Sequence, residues 1–115
     1  MKIKLSAIVV LVVLFFAACS SENELATLNG TKWVSKSLGG PYVIEFTSKS
    51  AFKEYKTDLE GNGEVNIKRG TYSYGIGMVT FTCIGVHNPP KTASVNGNSM
   101  WVDYGNGVNL LFVMK

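Results

Sequence analysis

Four short breaks, Gly61-Asn62-Gly63, Gly75-Ile76-Gly77, Asn96-Gly97-Asn98 and Gly105-Asn106-Gly107, divide the second half of this chain into runs whose apolar residues recur at every second position. A period of two is the signature of a strand with one covered face, and breaks of this composition are hairpin turns. The same alternation places Tyr42, Ile44 and Phe46 on one face against Val43, Glu45 and Thr47. Residues 51–57 read as a half-exposed strand with its charged residues outward. Val65 and Ile67 alternate with Glu64, Asn66 and Lys68, whereas Tyr72 and Tyr74 follow with the opposite parity. That switch implies an extra residue, and Gly70 is suited to the bulge. The runs 78–84, 92–95, 100–104 and 108–114 complete the set. Asn96-Gly97 is the strongest hairpin signal, expected as a type I′ turn with positive φ at both central residues. Asn88-Pro89-Pro90 reads as a stiffer open loop, because proline cannot join a ladder. Outside the first residues no window shows helical spacing. About eight short strands in an up-and-down antiparallel meander close most economically into a small β-barrel, since closure removes exposed edges. The expected fold is therefore all-β.

The first 19 residues obey different rules. Lys2 and Lys4 precede an apolar run from Leu5 to Ala18, interrupted by Ser6 alone, and Ala17-Ala18-Cys19 ends it. A run of roughly 14 residues falls short of the roughly 20 that span a bilayer, and fits a cleaved secretory signal. The small-small-Cys ending resembles the lipobox of bacterial lipoproteins, with Phe16 where leucine is more usual. The resemblance implies cleavage between Ala18 and Cys19 and lipid on Cys19, which becomes the mature N-terminus. Ser20, rather than Asp, after the cysteine resembles the outer-membrane sorting pattern. Residues 1–18 are expected to be the signal peptide and 19–29 the lipidated cysteine and polar tether. Residues 30–115 are expected to be one barrel domain. Ten extended tether residues reach at most about 35 Å.

Removing the signal changes what composition implies. The precursor carries a formal charge of +3. Without Lys2 and Lys4, nine basic residues face eight acidic ones, and the case for nucleic acid disappears. The apolar share falls to roughly 39%, ordinary for a small soluble domain. Lipid on Cys19 leaves Cys83 as the only thiol, so no disulfide is expected. Cys83 shares a face with Val79 and Phe81 and reads as a buried, inert side chain.

The segment Gly30-Thr31-Lys32-Trp33 is similar to the Gly-x-Trp opening of lipocalin-like domains, with two residues rather than one between glycine and tryptophan. Gly70-Thr71-Tyr72-Ser73-Tyr74, Val79-Thr80-Phe81, Val95 to Met100 and Leu110-Leu111-Phe112 resemble the closing strands of small lipocalin-like lipoproteins of Gram-negative bacteria. The resemblance implies a barrel and carries no functional residue.

Reactive chemistry finds little support. Asp58-Leu59-Glu60-Gly61-Asn62-Gly63 begins like a calcium loop, but the position that requires a bidentate glutamate is Arg69. Asp, Asn and Gly are equally what a hairpin tip demands. His87, the sole histidine, stands four residues after Cys83 in a loop where direct pairing needs a sharp reversal. Glu45 and Asp103 read as outward, solvated carboxylates. There is no Gly-x-Ser-x-Gly, His-Glu-x-x-His, phosphate loop or zinc spacing, so neither an enzyme nor a cofactor or metal is expected. Trp101 and Asp103, set opposite in parity to Met100, Val102 and Tyr104, are the candidate ligand or partner contacts. The expectation is a lipid-anchored, non-enzymatic cell-envelope protein that binds an envelope protein, a glycan or a small apolar ligand. The alternative is an inhibitor of a secreted hydrolase such as lysozyme or a protease.

Overall fold

The computed structural model describes residues 26–36 and 40–115. The signal segment, the cleavage position Ala18-Cys19 and most of the tether lie outside the described residues. The strands are β1 (Lys32–Ser35), β2 (Tyr42–Phe46), β3 (Ala51–Lys56), β4 (Val65–Gly75), β5 (Met78–Thr82), β6 (Thr92–Asn96), β7 (Ser99–Gly105) and β8 (Val108–Met114). Each pairs antiparallel with the next, and β8 returns to β1 through Trp33↔Met114 and Val34↔Val113. The sheet is thus a closed eight-stranded, up-and-down barrel with no helix among the described residues.

The two ends of the barrel differ. One gathers the chain entry at Leu28, the loop at 47–50, the turns at 76–77 and 97–98, and the end of β8. Hydrogen bonds Gly30 N to Phe46 O (2.7 Å), Tyr72 N to Ser50 O (2.9 Å), Val95 N to Gly77 O (2.7 Å) and Met114 N to Asn98 O (2.8 Å) run round it. We call it the tether end. The opposite end, the mouth, carries the loops 57–64 and 83–91 and the turn 106–107.

Alternation fills the tether half with large side chains. Phe46 meets Tyr72 edge-on at 4.7 Å between centroids, and Phe52 meets Phe81 edge-on at 4.8 Å. Trp33 is fully buried, and its Nε1 donates to Thr31 Oγ1 at 2.9 Å, which in turn donates to the Leu28 carbonyl at 2.6 Å. Leu28 is itself buried in the core, so the folded unit already includes a residue assigned from sequence to the tether.

Three local expectations are corrected. The bulge lies at Asn66–Ile67, not at Gly70. Glu54 pairs with Lys68 and Lys56 with Val65, leaving two residues of β4 opposite Tyr55 alone. Asn66 takes φ 56°, a left-handed conformation that asparagine tolerates better than most residues. Gly70 instead gives room. A Cβ there would lie 2.3 Å from the Thr82 carbonyl oxygen and 2.9 Å from the Phe52 ring. The hairpin after β6 pairs Asn96 with Ser99, so its central residues are Gly97 and Asn98. Left-handed φ is confined to Gly97, which makes the turn type II′. The I′ form occurs at Ile76-Gly77 and Asn106-Gly107. Glu54, expected outward, points inward in register with Phe52. Gly70→Ala should cost about 2 kcal/mol or more, because a backbone oxygen must move; urea unfolding of the full chain measures it, and an unchanged midpoint contradicts this packing.

Candidate functional site

The inward positions of β2, β3, β4 and β7 change character toward the mouth. Along β3 the inward residue after Phe52 is Glu54, because side chains two apart share a face. Glu54 is only 3% exposed. Its register partner on β4 is Lys68, whose Nζ lies 3.3 Å from Glu54 Oε1 and donates to the Asn88 carbonyl at 3.0 Å. From across the barrel, on β7, Tyr104 donates its hydroxyl to Glu54 Oε2. Tyr42 on β2 completes the wall.

These groups line a cleft of about 290 Å³ together with Val108 and Leu110. A second opening of about 550 Å³ shares Tyr42, Glu54, Lys68 and Asn88 and adds Lys56 and His87. The mouth therefore presents a carboxylate, an ammonium and two phenol rings around a space of small-ligand size. Every buried side-chain nitrogen and oxygen among the described residues has a hydrogen-bond partner. The cluster is satisfied, yet it is poor value for folding. Two charges withdrawn from water seldom stabilise more than an apolar filling of the same volume.

Burial holds the Tyr104 phenol well above its ordinary value, and the Glu54 charge, their hydrogen bond and Tyr42 add to the effect. Burial also pushes the Cys83 thiol up, with Glu54 reinforcing and Lys68 opposing. Cys83 faces inward beside Phe81, and its Sγ donates to the Arg69 carbonyl at 3.2 Å. The thiolate needed by a nucleophile is disfavoured there. His87 is exposed in the loop and lines the second opening.

The remaining sequence candidates have structural work. Asp58 Oδ1 accepts from the backbone N–H of Glu60 (3.0 Å) and Asn62 (2.8 Å), organising the loop that resembled a calcium site. No cluster of metal-ligating side chains occurs among the described residues. Glu45 accepts the Tyr55 hydroxyl on the outer face, with Lys53 Nζ at 3.9 Å and Lys32 Nζ at 4.0 Å. Burial first, then the Glu45 bond, raises the Tyr55 phenol. Trp101 and Asp103 both lie on the outer face of β7, away from the mouth interior. Trp101 is 54% exposed, while Asp103 Oδ1 accepts the Gly105 N–H at 2.7 Å and shapes the turn to β8.

Sequence reasoning missed Glu54 and Lys68 as site residues. Glu54 stands two residues from Phe52, but Tyr55 is buried on the opposite parity, so spacing alone leaves the inward face of β3 undecided. In comparisons with known proteins, no family model, no curated protein and no solved structure matches this chain.

Three phenols, Tyr55, Tyr72 and Tyr104, are held above the ordinary value of 10.0 in the folded chain. Above that pH the unfolded chain binds fewer protons than the fold, so stability must fall as pH rises, and no such loss occurs below it. Urea midpoints followed from about pH 8 to about pH 11 should decline only in the upper part of that range. Tyr104→Phe should flatten the decline; an equal decline in the variant contradicts the burial of this phenol.

Proposed function

We propose that this chain is a lipid-anchored cell-envelope protein whose barrel mouth binds a polar, hydroxyl-rich ligand of the glycan type without transforming it. The observation that carries the reading is Glu54, the one buried charged side chain among the described residues, set beside Lys68 and Tyr104. A carboxylate and an ammonium offer acceptors and donors to hydroxyls, and tyrosine rings offer faces on which a sugar can stack. An apolar small ligand suits this mouth less well, since it would leave the ionic groups without water or partners.

The anchor supports the same reading. The lipobox-like Ala17-Ala18-Cys19 puts lipid on Cys19, and the chain enters the barrel at Leu28, at the end opposite the mouth. A domain held in this way turns its mouth away from the bilayer, toward material in the envelope. The sorting signal at Ser20 favours the outer membrane.

Two outcomes are expected. Cys19→Ala should abolish acyl labelling and release the protein from membranes; persistent labelling refutes the anchor. Replacing the pair together, Glu54→Leu with Lys68→Met, should leave the unfolding midpoint equal or higher, because it removes the desolvation cost of both charges. The same double variant should lose retention of soluble glycan fragments released from envelope, measured by calorimetry against the full chain. Retention equal to that of the parent overturns the binding role of the mouth.

A further inference from the structure

The outer face of β5 to β8 is graded along the barrel. Nearest the mouth, the paired outward residues Thr80, Thr92, Asp103 and Asn109 form a polar row across the four strands. One step toward the tether end the row reads Met78, Ser94, Trp101 and Leu111. Beyond it stand Val113, with Val34 across the closing seam, and Ile76 at the tip of the turn after β4. Met78, Trp101, Leu111 and Val113 are each between 40% and 54% exposed. On the outer face of β5 to β8 the apolar residues thus lie toward the end from which the tether leaves, whereas the exposed apolar residues at the mouth, Leu59 and Ile84, sit singly in separate loops.

Ile76 is an independent sign that this surface has a use. It is 91% exposed and holds φ 55°. A β-branched residue in the left-handed region is strained, and Asn or Gly would serve the turn better. Ile76 therefore works against both folding and solubility, and such departures mark positions held for a contact.

We infer that the tether end docks onto the lipid surface, with Ile76, Met78, Trp101 and Val113 entering the interfacial region. The inference rests on the anchor reading at Cys19. What selects a bilayer over a protein occupant is the place where the chain outside the structure begins: only residues 20–27 separate the lipid-bearing position from the buried Leu28. Lys32, Lys49 and Lys115 sit at this end, and the acids Asp58 and Asp103 lie toward the mouth, where Lys56, Lys68 and Lys91 stand as well. Glu45, the nearest described acid, is engaged by Lys32, Lys53 and Tyr55. Lysines beside an apolar edge suit anionic headgroups, and tryptophan is favoured at the headgroup boundary.

The test uses the full chain reconstituted in phosphatidylethanolamine–phosphatidylglycerol vesicles whose acyl chains carry bromine, a contact quencher of tryptophan. Trp33 is enclosed in the barrel, so Trp101 is the reporter and Trp101→Phe the control. Docking predicts a blue shift and bromine quenching of Trp101, both absent from the control. Ile76→Asn should reduce the quenching while raising the unfolding temperature, a combination that a merely structural role cannot produce. Acyl labelling and sedimentation, measured in parallel, report on the anchor separately. A labelled, sedimenting chain with unquenched Trp101 overturns docking and leaves the anchor standing. Quenching without label upholds docking and removes the anchor. A blue shift without quenching means that a protein, or a second copy, covers the patch, and overturns the inference. Neither sedimentation nor quenching overturns both.

Discussion

The seam between β8 and β1 is the contact on which everything else in this molecule depends. It is short, with only Trp33↔Met114 and Val34↔Val113 in register. Were it open, two strand edges would present unpaired N–H and C=O groups, and the sheet would have neither an inside nor two ends. Its strength lies in packing more than in ladder length. Trp33 is fully enclosed, and its indole N–H joins a chain through Thr31 to the Leu28 carbonyl. The same side chain therefore shuts the seam and floors the tether end. Burying one tryptophan in this way contributes on the order of several kcal/mol, a large part of a small domain's stability.

Closure creates two unlike ends, and the chain departs from folding economy at each. At the mouth, Glu54 and Lys68 occupy inward positions that an apolar pair would fill at lower cost. At the tether end, Ile76 takes a backbone conformation and an exposure that both oppose stability. Between them lies an aromatic core, Phe46, Phe52, Tyr72 and Phe81, that follows the ordinary rules of packing. The departures thus lie at the two ends, and the regular packing between them holds both in place.

Much of the barrel is legible in the sequence because its strands alternate and its turns carry glycine or asparagine. The eight strands, their meander order and the inward set of β7 follow from those two signals. Residues 51–56 defeat the reading because both faces of β3 are covered. Phe52 packs inside, while Tyr55 is buried outside near the 57–64 loop, so apolar character could not tell inward from outward. Glu54 was lost with it, a charged residue whose partner, Lys68, lies beyond a bulge that shifts parity. The position of that bulge depended on the register of β3 against β4, which local composition does not encode. Gly70 looked like a bulge residue for the same reason; its actual role comes from the approach of Thr82, a neighbour twelve residues distant along the chain.

Hydrogen exchange of the full chain tests closure most directly. If the seam is intact, the amides paired along β1 and β8, including Lys115 N–H bonded to the Lys32 carbonyl at 2.9 Å, should exchange only through global unfolding. Their opening free energy should then match that of the Phe81 and Val95 amides, which are hydrogen-bonded on strands away from the seam. Exchange of β1 through a separate, lower-energy opening, with the other strands still protected, would show an open sheet and contradict the account.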